Sequence, residues 1–251
     1  MDGTLLQRPR TPLEAELFPL VRSLRKKGYL FCAASGRTYE SLLDLFAPVS
    51  EEIIFVVENG ARAYAHGEML YQIPLPEPLC WELTADIHTQ PDCEARINIA
   101  DKVYRVAKND LVADFLDLPG VQAMIPVRTW KKISGPVTKI SAFSPAGIER
   151  AASVLLPKWC RRVHANVTGT RWLDFSAVSK DFGLRKICEE YKISLENTIA
   201  FGDSFNDISM LNFAAHAYMM ESACTELKEL FPKHCVSVTK ELRRINETEG
   251  V

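Results

Sequence analysis

Residues 29–35 read "YLFCAAS", an unbroken apolar run that passes directly into Gly36-Arg37. A continuous run of this length predicts a strand buried on both faces, which only a parallel sheet covered by helices provides. Upstream, Leu13, Leu17, Leu20, Val21 and Leu24 recur at helical spacing. Thr11 with Glu14 forms a capping box, Pro12 suits the first helical turn, and Gly28 ends the run. Downstream, Thr38 can cap a second helix to about Ala47, and "IIFVV" at 53–57 is a second buried strand. Helix, strand, helix, strand in this order predicts parallel pairing through right-handed crossovers, hence a doubly wound α/β sheet.

The same grammar returns late. A helical stretch from Asp181 to Tyr191 leads into "TIAFGD" at 198–203. Between these ends the pattern changes: "ARINIA", "KVYRVA", "VTKISAF" and "RWLDFSA" alternate, with helical stretches near 109–117 and 145–156. Short strands with interleaved helices predict an inserted α+β domain. The expected division is 1–78 for the first part of the core, 79–176 for the insertion, and 177–251 for the second part.

Apolar residues make up 47% of the 251 and charged residues 25%, ordinary values for a globular chain. The formal net charge of -2 gives no bulk electrostatic case for nucleic acid or an anionic membrane. No apolar stretch reaches the roughly 18 to 20 residues that span a bilayer, and no secretory signal pattern opens the chain. Seven dispersed cysteines, without a C-x-x-C pair, read as reduced thiols of a cytoplasmic protein.

Ligands of open parallel sheets bind at the carboxyl ends of the strands. Three segments fall at such ends: "MDGTLL" at 1–6, "ASGR" at 34–37 and "GDSFNDISML" at 202–211. A fourth, "VSKDFGL" at 178–184, opens the helix before the last strand. Singly, each has an ordinary reading: Asp2-Gly3 as a turn, Ser35-Gly36-Arg37 as a strand-to-helix turn, Lys180 as a solvated lysine. Asp203 is harder to dismiss, because a bare carboxylate ending a buried strand is costly. Asp207 lies four residues on, near enough to address the same cation, and oxygen donors of this kind suit Mg²⁺ better than Zn²⁺. A calcium-binding EF-hand is excluded by the missing alternate ligands and distal Glu.

In combination the four segments resemble the signature of the haloacid dehalogenase superfamily, and within it the Cof-type subfamily. Asp2-Gly3-Thr4-Leu5 matches the end of Asp-x-Asp-Gly-Thr-Leu. Ser35-Gly36-Arg37, Lys180, and Gly202-Asp203 with Asn206-Asp207 match the other three motifs, and "ENGA" at 58–61 matches the run that precedes the Cof-type cap. The resemblance implies a Rossmann-like core with an inserted cap, and phosphoryl transfer to an Asp nucleophile from a small phosphorylated metabolite. It implies Asp2 as acid and base, Ser35, Gly36, Arg37, Lys180 and Asn206 around the phosphoryl group, and Mg²⁺ held by Asp203 and Asp207 with the Asp2 carbonyl. The cap is expected to select the leaving group, with Arg96, Lys102, Arg105, Lys139, His164 and Arg171 as candidates.

Three departures matter. The motif's first Asp would stand two residues before Asp2, so it and its strand are expected to lie ahead of Met1, leaving the chain as written inactive. "MESA" at 220–223 replaces the expected Met-Gly-Asn-Ala, and Glu221 would add negative charge if it faced the site. The chain stops at "EGV", where the family usually continues for another helix. The rival reading is a non-catalytic module that binds a phosphorylated ligand.

Overall fold

The computed structural model describes residues 1–6, 12–100, 102–106 and 124–248. The helix expected at 109–117 and Thr11 of the expected capping box lie outside the described residues. Two compact units emerge: Met1–Tyr71 with Ser179–Val251, and Gln72–Val178. The chain therefore leaves the first unit before the expected residue 78.

The first unit begins with helix α1 (Leu17–Lys26), one turn later than the pattern of apolar residues suggests. Leu13 is buried ahead of the helix, and Leu17, Leu20, Val21 and Leu24 form its buried stripe. Strand β1 (Cys32–Ala34), helix α2 (Tyr39–Leu45) and strand β2 (Ile54–Val57) follow, with β1 and β2 parallel as expected. Strands β3 (Arg62–Ala65) and β4 (Glu68–Gln72) extend this sheet in the order β1-β2-β3-β4. His66 and Gly67, at φ 52° and 75°, make the tight turn between them, a backbone that matches the strands' twist. β2 is buried on both faces. Phe55 and Val57 join the layer of α1, while Ile54 and Val56 join an opposite layer.

The second unit contains helix α3 (Glu77–Thr89), strands β5 (Glu94–Ile99), β6 (Lys102–Val106), β7 (Ile125–Val127) and β8 (Val137–Phe143), helix α4 (Glu149–Trp159), and strands β9 (His164–Thr168) and β10 (Trp172–Ser176). Among the described residues the strands form one sheet, ordered β7-β6-β5-β8-β10-β9. Ile97, Ile140, Leu173 and Phe175 from one face pack with Leu83 and Ile87 of α3 and Leu155 and Trp159 of α4. The strands expected from "ARINIA", "KVYRVA", "VTKISAF" and "RWLDFSA" all form. Helix α3, unforeseen in the sequence, buries Cys80, Leu83, Thr84 and Ile87 at helical spacing.

The chain then returns to the first unit through helix α5 (Lys180–Glu190), strand β11 (Ile199–Gly202), helix α6 (Ile208–Phe213), strand β12 (His216–Met220), helix α7 (Thr225–Leu230), strand β13 (His234–Cys235) and helix α8 (Val238–Glu247). β11, β12 and β13 pair in parallel as a second sheet. Ile187 of α5 belongs to the layer opposite α1, whereas Val238, Leu242 and Ile245 of α8 join the α1 layer. Helices on both sides of parallel strands make this the expected α/β class.

One expectation fails in detail. Only Cys32–Ala34 of the 29–35 run is strand, and Leu30 is 43% exposed. The cause is local. Phe31, Cys32 and Ala33 line a cavity of about 1020 Å³ whose opposite side carries Ile199, Ala200 and Phe201 of β11. Among the described residues β1 and β11 each end their own sheet, with no strand paired to β1 or β11 on the side of this cavity.

Candidate active site

Ser35 directly follows β1, Asp203 directly follows β11, and Lys180 is the first residue of α5. Residues Met1–Leu6 form a tight turn beside them. The Met1 carbonyl accepts from the N–H groups of Thr4, Leu5 and Leu6, and Gly3 donates to the Leu6 carbonyl at 2.8 Å. Gly3 has φ 79°, and a Cβ there would stand 2.0 Å from Asp203 Oδ2. Only glycine permits both the turn and this approach. The Thr4 hydroxyl then donates to Asp203 Oδ1.

Lys180 and Asp207 form the best-buried part of the cluster. Lys180 Nζ lies 2.6 Å from Asp207 Oδ1, and each side chain is 4% exposed. Asp207 Oδ2 accepts from the backbone N–H groups of Asp203 at 3.0 Å and Ser204 at 3.2 Å, closing a capping box on the short turn 205–207. Gly202 fits under Asp207, since a Cβ there would come within 2.6 Å of the Asp207 Cβ. Burial pushes the Asp207 carboxyl up, but the charges of Lys180 and the Met1 α-amino group, with these hydrogen bonds, outweigh it and hold it below the usual range. Asp203 moves the other way: burial, with the Asp207 charge adding, raises it above the usual range despite the Thr4 hydrogen bond. The Met1 α-amino group is itself buried, which lowers its pKa, and it is held against that by Asp207 foremost and by Asp203 and Asp2.

Asp2 is placed differently. Its side chain is 58% exposed and takes two hydrogen bonds from Arg37, from Nε at 2.8 Å and Nη2 at 2.5 Å. Burial raises the Asp2 carboxyl, yet the Arg37 hydrogen bond and charge prevail and lower it. Arg37, expected near a phosphoryl group, is thus committed to Asp2. Among the described residues, no three His, Cys, Asp or Glu side chains converge on one point that could hold a metal. The reason is visible in the partners: Asp2 turns to Arg37, and both Asp207 oxygens are engaged. Ser35 is buried, and its Oγ accepts from the Arg37 N–H at 3.1 Å. Gly36 lies under the Asn59 side chain, with a Cβ there coming within 2.9 Å of Asn59 Oδ1. Asn206 is buried on the 205–207 turn. Glu221 faces Lys228 and His234 at the surface, at 3.5 and 3.3 Å.

The donors fit a hard cation better than a soft one. Asp203, its carboxyl raised by burial and by Asp207, would gain from a nearby positive charge, and all donors are oxygens. Thr4, Asn59 and the Ser204 cap were not foreseen as parts of the site. Thr4 was legible inside "MDGTLL", and Ser204 could have been read from the Ser-x-x-Asp spacing.

In the inserted unit, one face of the sheet is polar. The register aligns Arg105, Arg96, Ser141, Asp174 and Asn166 across five strands, and next to them Asn98, Lys139, Ser176 and His164. Lys139 and Asp174 pair at 3.2 Å, and Ser141 donates to Asp174 at 2.6 Å, all buried. Four of the six expected selectors, Arg96, Arg105, Lys139 and His164, share this face. Lys102 pairs opposite Ile99 on the other face, and Arg171 lies just outside β10.

Residues 1–241 match the profile of haloacid dehalogenase-like hydrolases. The chain belongs to this family. A 5-amino-6-(5-phospho-D-ribitylamino)uracil phosphatase of Escherichia coli strain K12 is 24% identical over 233 residues, covering 89% of this chain and 83% of that protein. A crystal structure from Eubacterium rectale superposes with a TM-score of 0.86 at 23% identity, over 98% of this chain and 96% of that one. A subclass IIB sugar phosphatase of the family gives 0.83 at 20% identity, over 98% and 96%. The likeness fixes a haloacid dehalogenase fold for this chain.

Proposed function

We propose that this haloacid dehalogenase-like chain is a Mg²⁺-dependent phosphomonoesterase for a small phosphorylated metabolite, of the sugar or polyol phosphate kind that its relatives' names specify. The observation that carries the reading is the buried Lys180–Asp207 pair next to Asp203 at the end of β11, with Ser35 buried at the end of β1. A buried ammonium held by a carboxylate is a fixed positive charge, the group phosphoryl transfer needs in a preorganised place. Lys180 and the Ser35 hydroxyl would bind phosphoryl oxygens, and the Gly36 and Arg37 backbone would close the loop around them. Asn206 would orient the 205–207 turn. Asp203 would hold the metal, Asp207 would steady Lys180 next to it, and the carbonyl of Asp2 would face the same point. When bound, Mg²⁺ would neutralise charge on the transferring group.

Asp2 is the acid that would protonate the leaving alkoxide and then activate water. Its pairing with Arg37 keeps it ionised, so Arg37 must release it before it can carry a proton. The nucleophile would be an Asp two residues ahead of Asp2, on a strand filling the cavity between β1 and β11. A strand of five to six residues, at about 3.3 Å each, 4.8 Å between neighbours and about 10 Å through the layer, occupies about 800–950 Å³. The cavity of about 1020 Å³ accommodates it. Attack on phosphorus would yield an aspartyl-phosphate that water then hydrolyses. The inserted unit would act as the cap, and its polar face would read the hydroxyls of the leaving group.

The test is hydrolysis of p-nitrophenyl phosphate with and without Mg²⁺, on this chain and on a form extended by an apolar strand ending in Asp-x before Asp2. Activity is expected in the extended form with Mg²⁺, and Asp203→Asn is expected to abolish it. An extended form that folds, binds inorganic phosphate and remains inert would overturn the enzyme reading in favour of a binding module.

A further inference from the structure

Glu58, Asn59 and Gly60 are three consecutive residues with positive φ, at 53°, 59° and 97°. Two of them are not glycine, and such conformations persist only where surrounding structure over-determines them. What surrounds this turn is the candidate site, on both sides. On one side, the Glu58 N–H donates to the Arg37 carbonyl at 2.9 Å and the Asn59 N–H to the Ser35 carbonyl at 3.0 Å. The Asn59 side chain also covers Gly36, where a Cβ would meet its Oδ1 at 2.9 Å. On the other side, Gly60 packs on the start of α5. A Cβ on Gly60 would stand 2.3 Å from the Ser179 carbonyl oxygen and 3.4 Å from the Lys180 Cα. The Tyr71 hydroxyl donates to the Gly60 carbonyl at 3.0 Å, and Gly183 fits beneath the same Tyr71.

The turn is anchored from below by a fully buried pair. Arg62 reaches Glu58 with two hydrogen bonds of 3.0 Å, and its third arm donates to the Tyr64 hydroxyl at 2.7 Å. Side-chain exposures are 1% and 0%. A two-pronged buried pair of this kind fixes an orientation more than it adds net stability. Here it holds Glu58 in its strained backbone.

We propose that Glu58-Asn59-Gly60 is a positioning element that sets the Ser35–Arg37 loop and the start of the Lys180 helix at a fixed distance from each other. Asn59 is its contact residue: its amide presses on Gly36, and its N–H grips Ser35. Neither Asn59 nor Glu58 touches the reacting atoms; both act through Ser35 and Lys180. The role rests on the phosphatase reading only in what the two groups bind.

The test uses the full chain and Asn59→Gly, with Asn59→Ala alongside. Glycine adopts the left-handed backbone freely but removes the buried amide, so Asn59→Gly loses the positioning contact without the backbone strain that alanine adds, and its melting temperature should fall less than that of Asn59→Ala. Amide exchange at residues 35–37 and 179–182 should then quicken at least tenfold in Asn59→Gly, and the Kd for inorganic phosphate with Mg²⁺ should weaken at least tenfold. Asn59→Ala should show the same two changes with a lowered melting temperature. Unchanged exchange at both segments in Asn59→Gly would overturn the proposal, whatever phosphate does. Quickened exchange in a protein whose parent form binds no phosphate would uphold the brace and reject the phosphatase reading instead.

Discussion

Replacing Lys180 by Met should destabilise the first unit by about 3–5 kcal/mol, the cost of leaving a buried charge without its partner. The figure follows from the geometry. With Nζ and Oδ1 at 2.6 Å, the attraction is about 6 kcal/mol at an effective dielectric near 20. With both side chains 4% exposed, most of that repays desolvation, so the pair is worth little net against an apolar pair. Removing only the lysine leaves the desolvation of Asp207 uncompensated, apart from two backbone N–H groups and the Met1 α-amino group. The pH dependence has a definite sign. In the parent protein the depressed Asp207 carboxyl contributes stability that is present above its unfolded value of 3.8 and lost as pH falls through the folded value. In Lys180→Met burial prevails and the carboxyl rises, so Asp207 costs stability at neutral pH and is relieved by protonation as pH falls. The deficit of the variant should therefore be largest near pH 7 and shrink toward pH 4. Urea denaturation followed by far-ultraviolet circular dichroism measures it. Tryptophan fluorescence would not, because Trp81, Trp130, Trp159 and Trp172 all lie in the inserted unit. The double variant Lys180→Met/Asp207→Leu should recover most of the loss. A deficit below about 1 kcal/mol, or one equal at pH 7 and pH 4.5, would refute the account of this pair as a balanced buried charge.

Arg37→Ala should let the Asp2 carboxyl rise toward its ordinary value, read by carbon-13 titration of the carboxylate, with under about 1 kcal/mol of stability lost because the pair is exposed. That small loss should be full above the unfolded value of 3.8 and fade as pH falls through the lower folded value of Asp2. In the inserted unit, Asp174→Ala removes the carboxylate that accepts from Lys139, Ser141 and Thr168, and should cost about 3 kcal/mol by tryptophan-monitored denaturation while leaving the first unit's melting unchanged.

How much of this could be read from the residues divides along physical lines. β2 was legible because "IIFVV" has helices on both sides and no polar position, and β5, β8 and β10 because their alternation matches a sheet with one covered face. The 29–35 run shortened because burial depends on a neighbouring strand, which no local pattern of its own can report. Helix α3 is hard to read because Pro76 and Pro78 flank its first residue, although proline is tolerated in a first helical turn. At the site, Lys180, Asp203 and Asp207 were legible as chemistry, but not who pairs with whom. Spacing suggested two carboxylates sharing a cation; the fold gives one of them to Lys180 and to a helical cap. Asp2 and Arg37 are 35 positions apart, and nothing local foretells their two-pronged pairing.

That division of labour between Asp203 and Asp207 is the most informative property of the cluster. The two carboxylates belong to one short turn, yet one is held below the usual range and the other above it. Four bonds explain the difference. Asp207 has Lys180 and two backbone donors; Asp203 has the Thr4 hydroxyl and the repulsion of its neighbour. A site built only for stability would pair both or bury neither, since an uncompensated carboxylate at a strand end is costly. Here the compensated one secures the lysine, and the under-compensated one is set against the Gly3 backbone, where the absent Cβ keeps the approach open. Such an arrangement is stable only modestly on its own and gains most when positive charge is supplied at Asp203. Added Mg²⁺ should therefore raise the melting temperature of the parent chain, and should fail to do so in Asp203→Asn, in which the carboxyl that would gain is gone.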